Sequence, residues 1–141
     1  MNQHMPPEPV PLFDIGSQRR RLGTSIDEAI ARVLTHCQFV SGPEVTALEE
    51  ALAKFCGAKH VVSCANGTDA LVMVLMAIGA GPGDAVFCPS FTFCATASPV
   101  ARTGATPLFV DVDETTFNMT PASLARGIAT AKKLGLKPKA L

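Results

Sequence analysis

The sequence has no excess of charge of either sign. Lys plus Arg and Asp plus Glu each number 12, giving a formal net charge of zero, so no electrostatic footprint for a nucleic-acid backbone is present and any phosphate contact must be local. Nor is there a Cys-x-x-Cys pair. Cys37, Cys56, Cys64, Cys88 and Cys94 are an odd set, which argues against a disulfide framework and against a zinc ribbon, and they are expected to be small buried apolar residues in a reducing compartment. The longest apolar stretch, Ala70 to Ala80, is too short to span a bilayer, and Met1 to Val10 carries three prolines and no signal-peptide core. A cytoplasmic protein with no membrane partner is expected. Gly-x-Gly-x-x-Gly and Gly-x-x-x-x-Gly-Lys-Ser/Thr are both missing, which removes support from the usual dinucleotide and P-loop readings. Internal repeats and low-complexity segments are absent as well.

What is there suits a folded domain or part of one, since 48% of the 141 residues are hydrophobic. After the Pro-rich start, Ser25-Ile26-Asp27-Glu28 opens a segment with Ile26, Ile30, Val33 and Leu34 at helical spacing. Pro43 suits the first turn of a second helix carrying Val45, Leu48, Leu52 and Phe55, and Gly57 closes it. The pattern then changes to short apolar runs alternating with helical ones. Lys59 to Cys64 reads as a buried strand, Thr68 to Ile78 as a helix, Ala85 to Cys88 as a strand, Thr92 to Thr103 as a helix and Pro107 to Val110 as a third strand. Pro121 to Lys132 reads as a helix and Lys139 to Leu141 as the start of another strand. Such alternation implies an α/β three-layer sandwich with a mostly parallel sheet, in which Val61, Val62, Val86, Leu108 and Val110 are buried. A chain that stops as a strand begins reads as a fragment of something larger.

Three stretches could carry chemistry. In Ser63-Cys64-Ala65-Asn66-Gly67-Thr68-Asp69-Ala70-Leu71, a strand runs through a Gly-containing turn into a helix, whose free N–H groups and dipole form an anion site; Thr68 can cap the helix or offer its hydroxyl to a phosphate. The alternative is a turn that serves capping alone. Pro89-Ser90-Phe91-Thr92-Phe93-Cys94-Ala95-Thr96-Ala97 follows a strand and so falls at the carboxyl edge of the sheet, where open α/β folds bind ligands. Either aromatic could stack on a planar ring, or both could pack beneath the loop. Gly104-Ala105-Thr106-Pro107-Leu108-Phe109-Val110-Asp111-Val112-Asp113 ends in two acids that could be read as a metal pair. Without a His or further carboxylates nearby, capping of the turn before Thr115 and Thr116 is the better reading. His4, His36 and His60 stand in unrelated contexts and support no Ser or Cys triad.

Taken in order, Gly42-Pro43-Glu44-Val45, Asn66-Gly67-Thr68-Asp69-Ala70-Leu71, Pro89-Ser90-Phe91-Thr92-Phe93-Cys94-Ala95-Thr96 and Gly104-Ala105-Thr106-Pro107 running to Asp111 resemble one family. It is the fold-type I sugar aminotransferases of the DegT/DnrJ family. The resemblance covers Leu12 to Leu141. It implies pyridoxal 5'-phosphate (PLP) as cofactor, with Gly67, Thr68 and the backbone of Asp69 on its phosphate and Phe93, which directly follows Thr92, on its ring; Phe91 is then the core aromatic. A dianion at a helix N-terminus and a flat ring on a flat cofactor agree with the physics.

The resemblance also implies what lies elsewhere. The family's Schiff-base lysine and the aspartate that pairs with the pyridine nitrogen are expected beyond Leu141; Lys54, Lys59, Lys132, Lys133, Lys137 and Lys139 match neither position, so no catalytic residue is assigned within the chain. Residues 1–11 are expected to be a flexible Pro-rich leader and residues 12–141 the incomplete N-terminal part of the PLP-binding large domain. The family's activity moves an amino group from an amino acid, here glutamate, to a nucleotide-linked keto-sugar for surface polysaccharide (O-antigen) or other amino-sugar biosynthesis. Cys64-Ala65-Asn66-Gly67-Thr68-Asp69 and Thr116-Phe117-Asn118-Met119, with the long spacer Ala129 to Lys139, resemble the subgroup acting on UDP-linked 3-keto-N-acetyl-hexuronic acids. A homodimer with active sites at the interface is implied too. Alternatives are a PLP-dependent sugar dehydratase with histidine in place of the lysine, or a non-catalytic binding protein of the same fold.

Overall fold

A computed structural model describes residues 10–141 of the chain, so most of the proposed leader lies outside the described residues. The chain divides into two compact units, Met1–Ser63 and Cys64–Leu141. Among the described residues no helix is long and apolar enough to cross a membrane.

The first unit is helical. Helix α1 spans Ile15–Leu22, an element that hydrophobic periodicity did not announce; Asp14 caps it by accepting the Ser17 N–H at 2.9 Å. Helix α2, Ser25–His36, has Asp27 and Glu28 in its first turn, where they complement the helix dipole. Helix α3, Pro43–Cys56, starts on proline and ends at Gly57, whose φ of 66° is the left-handed conformation that glycine adopts without strain. The expected strand over Lys59 to Cys64 is not formed. These residues make no ladder, and Val62 is 72% exposed. A parallel strand needs a neighbour to take its backbone groups; here the Glu49 carboxylate takes the Ser63 N–H at 2.7 Å and the Ser63 hydroxyl at 2.8 Å. Those bonds hold the Glu49 carboxyl below its ordinary pKa.

The second unit contains the sheet. Helix α4 runs over Gly67–Ala77, strand β1 over Asp84–Pro89, helix α5 over Ser98–Arg102, strand β2 over Thr106–Val110, helix α6 over Pro121–Lys133 and strand β3 over Lys137–Ala140. Both strand pairings of the sheet are parallel, in the order β2-β1-β3, with Ala85 opposite Thr106 and Pro89 opposite Val110, and an isolated antiparallel bridge joins Val112 to Met119. Alternate β1 side chains build two cores, Val86 and Cys88 with Leu75, Val100 and Ala105 on one face, Ala85 and Phe87 with Leu108, Val110 and Ala131 on the other. Helices α4 and α5 thus cover one face and α6 the other, which is the expected three-layer α/β arrangement. Burial on both faces holds for central β1 only: β2 alternates between buried and exposed positions and β3 is largely exposed.

Two further expectations are corrected. Thr92 to Thr103 is not one helix but a short 3-10 turn, Cys94–Thr96, followed by α5. Pro99 supplies the reason, because it has no N–H to bond back to Ala95 and its ring crowds that carbonyl, so a continuous helix through it is excluded and proline is placed in the first turn. Of the cysteines only Cys88 is buried; Cys37, Cys56, Cys64 and Cys94 are exposed. Burial pushes the Cys88 thiol up, as suits an unreactive core residue.

Candidate functional site

Two loops of the second unit carry the residues singled out from the sequence. The first enters α4. Asn66 is its N-cap, in extended conformation (φ −164°, ψ 168°); its side-chain oxygen accepts the Asp69 N–H at 2.9 Å, while its amide donates to Asp69 Oδ2 at 2.9 Å. Asn66, not Thr68, therefore does the capping. Gly67 and Thr68 occupy the first two helical positions, whose N–H groups have no intrahelical acceptor. Neither N–H, nor the Thr68 hydroxyl, has a protein partner among the described residues. A Cβ built on Gly67 would meet nothing within 4 Å, so the space beside the Gly67 Cα is open. Capping and anion binding are thus not exclusive here, since they use different amides.

Asp69, also singled out, is arranged differently. Its N–H is engaged by Asn66, and its carboxylate accepts from Arg102 Nη1 at 3.2 Å as well as from Asn66. The Arg102 contact spans 33 residues, and no local signal in the sequence announces it. The cap could have been found, because Asn outranks Thr at that position and an acid three residues on is a familiar capping partner.

The second loop leaves β1. Its start is fixed by the Ser90 N–H donating to the Val110 carbonyl at 2.8 Å, and the Thr92 and Thr96 hydroxyls are 2.8 Å apart. Phe93 enters the 3-10 turn in extended conformation and is 75% exposed. Its ring has no aromatic partner among the described residues. Phe91, expected as the core aromatic, is 67% exposed and instead lies against Phe117 with ring centroids 5.3 Å apart at 41°. Core space beneath the loop is already taken by Cys88, Pro99 and Val100, so neither phenylalanine enters it. Because α4 packs against both the 3-10 turn and α5, the two loops belong to one neighbourhood.

The acidic stretch after β2 is structural. Asp113 Oδ1 accepts the N–H groups of Thr116 at 2.9 Å and Thr115 at 3.1 Å and the Thr116 hydroxyl at 3.1 Å, which holds its carboxyl below the ordinary range. Asp111 accepts the Val112 N–H at 3.0 Å. No group of three or more His, Cys, Asp or Glu side chains among the described residues could hold a metal ion.

The entrance to α4 therefore presents, among the described residues, two amides and a hydroxyl without a protein partner, and the exposed Phe93 leads into a turn that packs against the same helix. These are the features a phosphorylated planar cofactor needs. Comparison with known proteins points the same way. Residues 20–135 match the sequence profile described as the DegT/DnrJ/EryC1/StrS aminotransferase family. Over 124 residues the chain is 50% identical to the UDP-2-acetamido-2-deoxy-3-oxo-D-glucuronate aminotransferase of Pseudomonas aeruginosa, covering 88% of this chain and 34% of that protein. A DegT DnrJ EryC1 StrS aminotransferase from Brucella abortus superposes with a TM-score of 0.88 at 48% identity, over 93% of this chain and 35% of the other. NtdA from Bacillus subtilis, solved with bound cofactor PMP, superposes at 0.81 with 29% identity, over 90% of this chain and 29% of the other. The chain thus spans about a third of the length of the relatives it matches.

Proposed function

Since the chain belongs to the DegT/DnrJ/EryC1/StrS aminotransferase family, we propose that it forms the phosphate- and ring-binding part of a PLP-dependent nucleotide-sugar aminotransferase. The observation that carries the proposal is the entrance to α4, where the Gly67 and Thr68 amides and the Thr68 hydroxyl have no protein partner among the described residues and the space beside the Gly67 Cα is open. Gly67 and Thr68 bind the phosphate through those groups, with the helix dipole favouring the dianion, while the Asp69 N–H, also expected at the phosphate, is held by Asn66. Phe93 orients the pyridine ring by stacking. When bound, PLP would supply the aldehyde that takes up the amino group and the electron sink that stabilises charge on the reacting carbon. The chain's own contribution is binding and orientation; proton movement belongs to a lysine none of its six matches.

The relatives support a reading of the substrates. The Pseudomonas relative is named for a UDP-linked 3-oxo-glucuronate, which supports a UDP-linked 3-keto-hexuronic acid as acceptor in a polysaccharide pathway. Glutamate as donor, a cytoplasmic location and a homodimer complete the proposal, with residues 12–141 as the N-terminal part of a larger PLP-binding domain. The test is an assay of the protein of the relatives' full length that contains this chain, with PLP, glutamate and a UDP-linked 3-keto-N-acetyl-hexuronic acid. Formation of 2-oxoglutarate and the aminated sugar is expected there, and none from the 141-residue chain alone. Dehydration of the sugar without 2-oxoglutarate would replace the aminotransferase by the dehydratase.

A further inference from the structure

At the entrance to α4 an asparagine cap has a choice that decides whether an anion site exists. An N-cap oxygen can accept from the second or the third helical amide. If Asn66 took the Thr68 N–H, one of the two free donors would be lost; it takes Asp69 N–H instead, at 2.9 Å. What holds it there is visible. The other atom of the Asn66 amide, Nδ2, donates to Asp69 Oδ2 at 2.9 Å, so the side chain is fixed at both ends on the third residue of the helix. Asp69 is fixed in turn by Arg102, whose Nη1 reaches Oδ1 at 3.2 Å from the last residue of α5.

The same carboxylate creates a difficulty. A charge at the third helical position already compensates the positive end of the dipole and stands close to where a dianionic phosphate would bind, so an unpaired Asp69 would repel it. The guanidinium offsets that charge. It also ties α5, which follows the Phe93 loop, to the turn that carries Gly67 and Thr68, and it does so through an exposed pair whose direct worth to stability is small.

We propose that Arg102 is a positioning residue for the phosphate site, acting through Asp69 to hold Asn66 on the third amide and to offset the carboxylate beside the phosphate. The proposal rests on the assignment of Gly67 and Thr68 to the cofactor phosphate. Arg102 itself touches no ligand in it.

Affinities for PLP and for pyridoxal, which lacks the phosphate, measured on the same chain separate the phosphate end from the ring. Arg102→Ala is expected to weaken PLP by about two- to tenfold, the scale of one or two charge interactions near a surface, with pyridoxal unchanged. Arg102→Lys keeps the charge and should recover much of the loss. Adding Asp69→Asn to Arg102→Ala removes the repelling charge and should recover it too, which a merely structural arginine would not predict. Should alanine melt the short α5, Arg102→Gln keeps the stem and reads the same ratio. An unchanged PLP-to-pyridoxal ratio in Arg102→Ala and Arg102→Gln overturns the proposal. An unmodified chain that binds the two compounds equally overturns the phosphate assignment as well, so the two failures are told apart.

Discussion

Single residues decide what the two loops can do. Phe93 offers a free ring, whereas the Phe91 ring is engaged with Phe117. Phe93→Ala should therefore cost the stacking term of about 0.5–1.5 kcal/mol, which weakens PLP by roughly two- to tenfold. Phe91→Ala should cost the fold only the aromatic pair, again about 0.5–1.5 kcal/mol, well short of the 3–5 kcal/mol of a buried phenylalanine. PLP titration and urea unfolding of both variants check this, and a Phe93→Ala chain with undiminished PLP affinity would remove the ring contact. Asp113 gives a pH test. Its carboxyl is lowered by the Thr116 and Thr115 amides, so its stabilisation is complete above the ordinary carboxylate pKa and is lost as pH falls through the lowered folded value. The gap in unfolding midpoint between the wild type and Asp113→Asn should shrink as pH falls below the ordinary carboxylate range and through the lowered folded value; a gap of constant size would sink the assignment. At this scale the sequence was legible where chemistry is local, as at Asp113 and Thr116. It was not legible at Arg102, because a pair separated by 33 residues leaves no trace in spacing.

Among elements, those whose partners are nearby were readable and those needing distant neighbours were not. Helix α3 starts on proline and stops at glycine as capping chemistry says it should, α2 follows its helical spacing without a side-chain cap bond, and β1 and β2 follow their apolar runs. The run Lys59 to Cys64 has the same composition as a strand but pairs with none among the described residues; composition gives the tendency and a ladder partner gives the strand. Helix α1 was missed because its apolar residues are few and its Asp14 cap, with Ser17 donating, carries the signal. Packing of α6 on the sheet yields a sharper prediction. A Cβ on Gly127 would lie 2.8 Å from Val110 Cγ2 and 3.3 Å from Phe87 Cδ1. Val110 is β-branched and buried, so it has little room to turn. Gly127→Ala gains about 0.5–1 kcal/mol in helix propensity but overpacks the core by about 1–3 kcal/mol. A lower urea midpoint is expected, and an unchanged or higher one would show that α6 does not press on this face.

For the whole molecule, the apolar surface of α4 matters most. Val74 and Met76 are exposed on a helix that is apolar nearly all round, a pattern belonging to a covered helix. In the protein of the relatives' full length, we expect a homodimer by sedimentation; a fully active monomer would contradict the shared-site expectation. The central claim, that the α4 entrance binds the PLP phosphate, is most directly tested by an amide NMR titration of this chain with PLP, using pyridoxal as the control. The account predicts that the Gly67 and Thr68 amide signals move with PLP and stay in place with pyridoxal, while Phe93 ring signals respond to both. Unmoved Gly67 and Thr68 signals alongside shifts confined to other parts of the chain would contradict it.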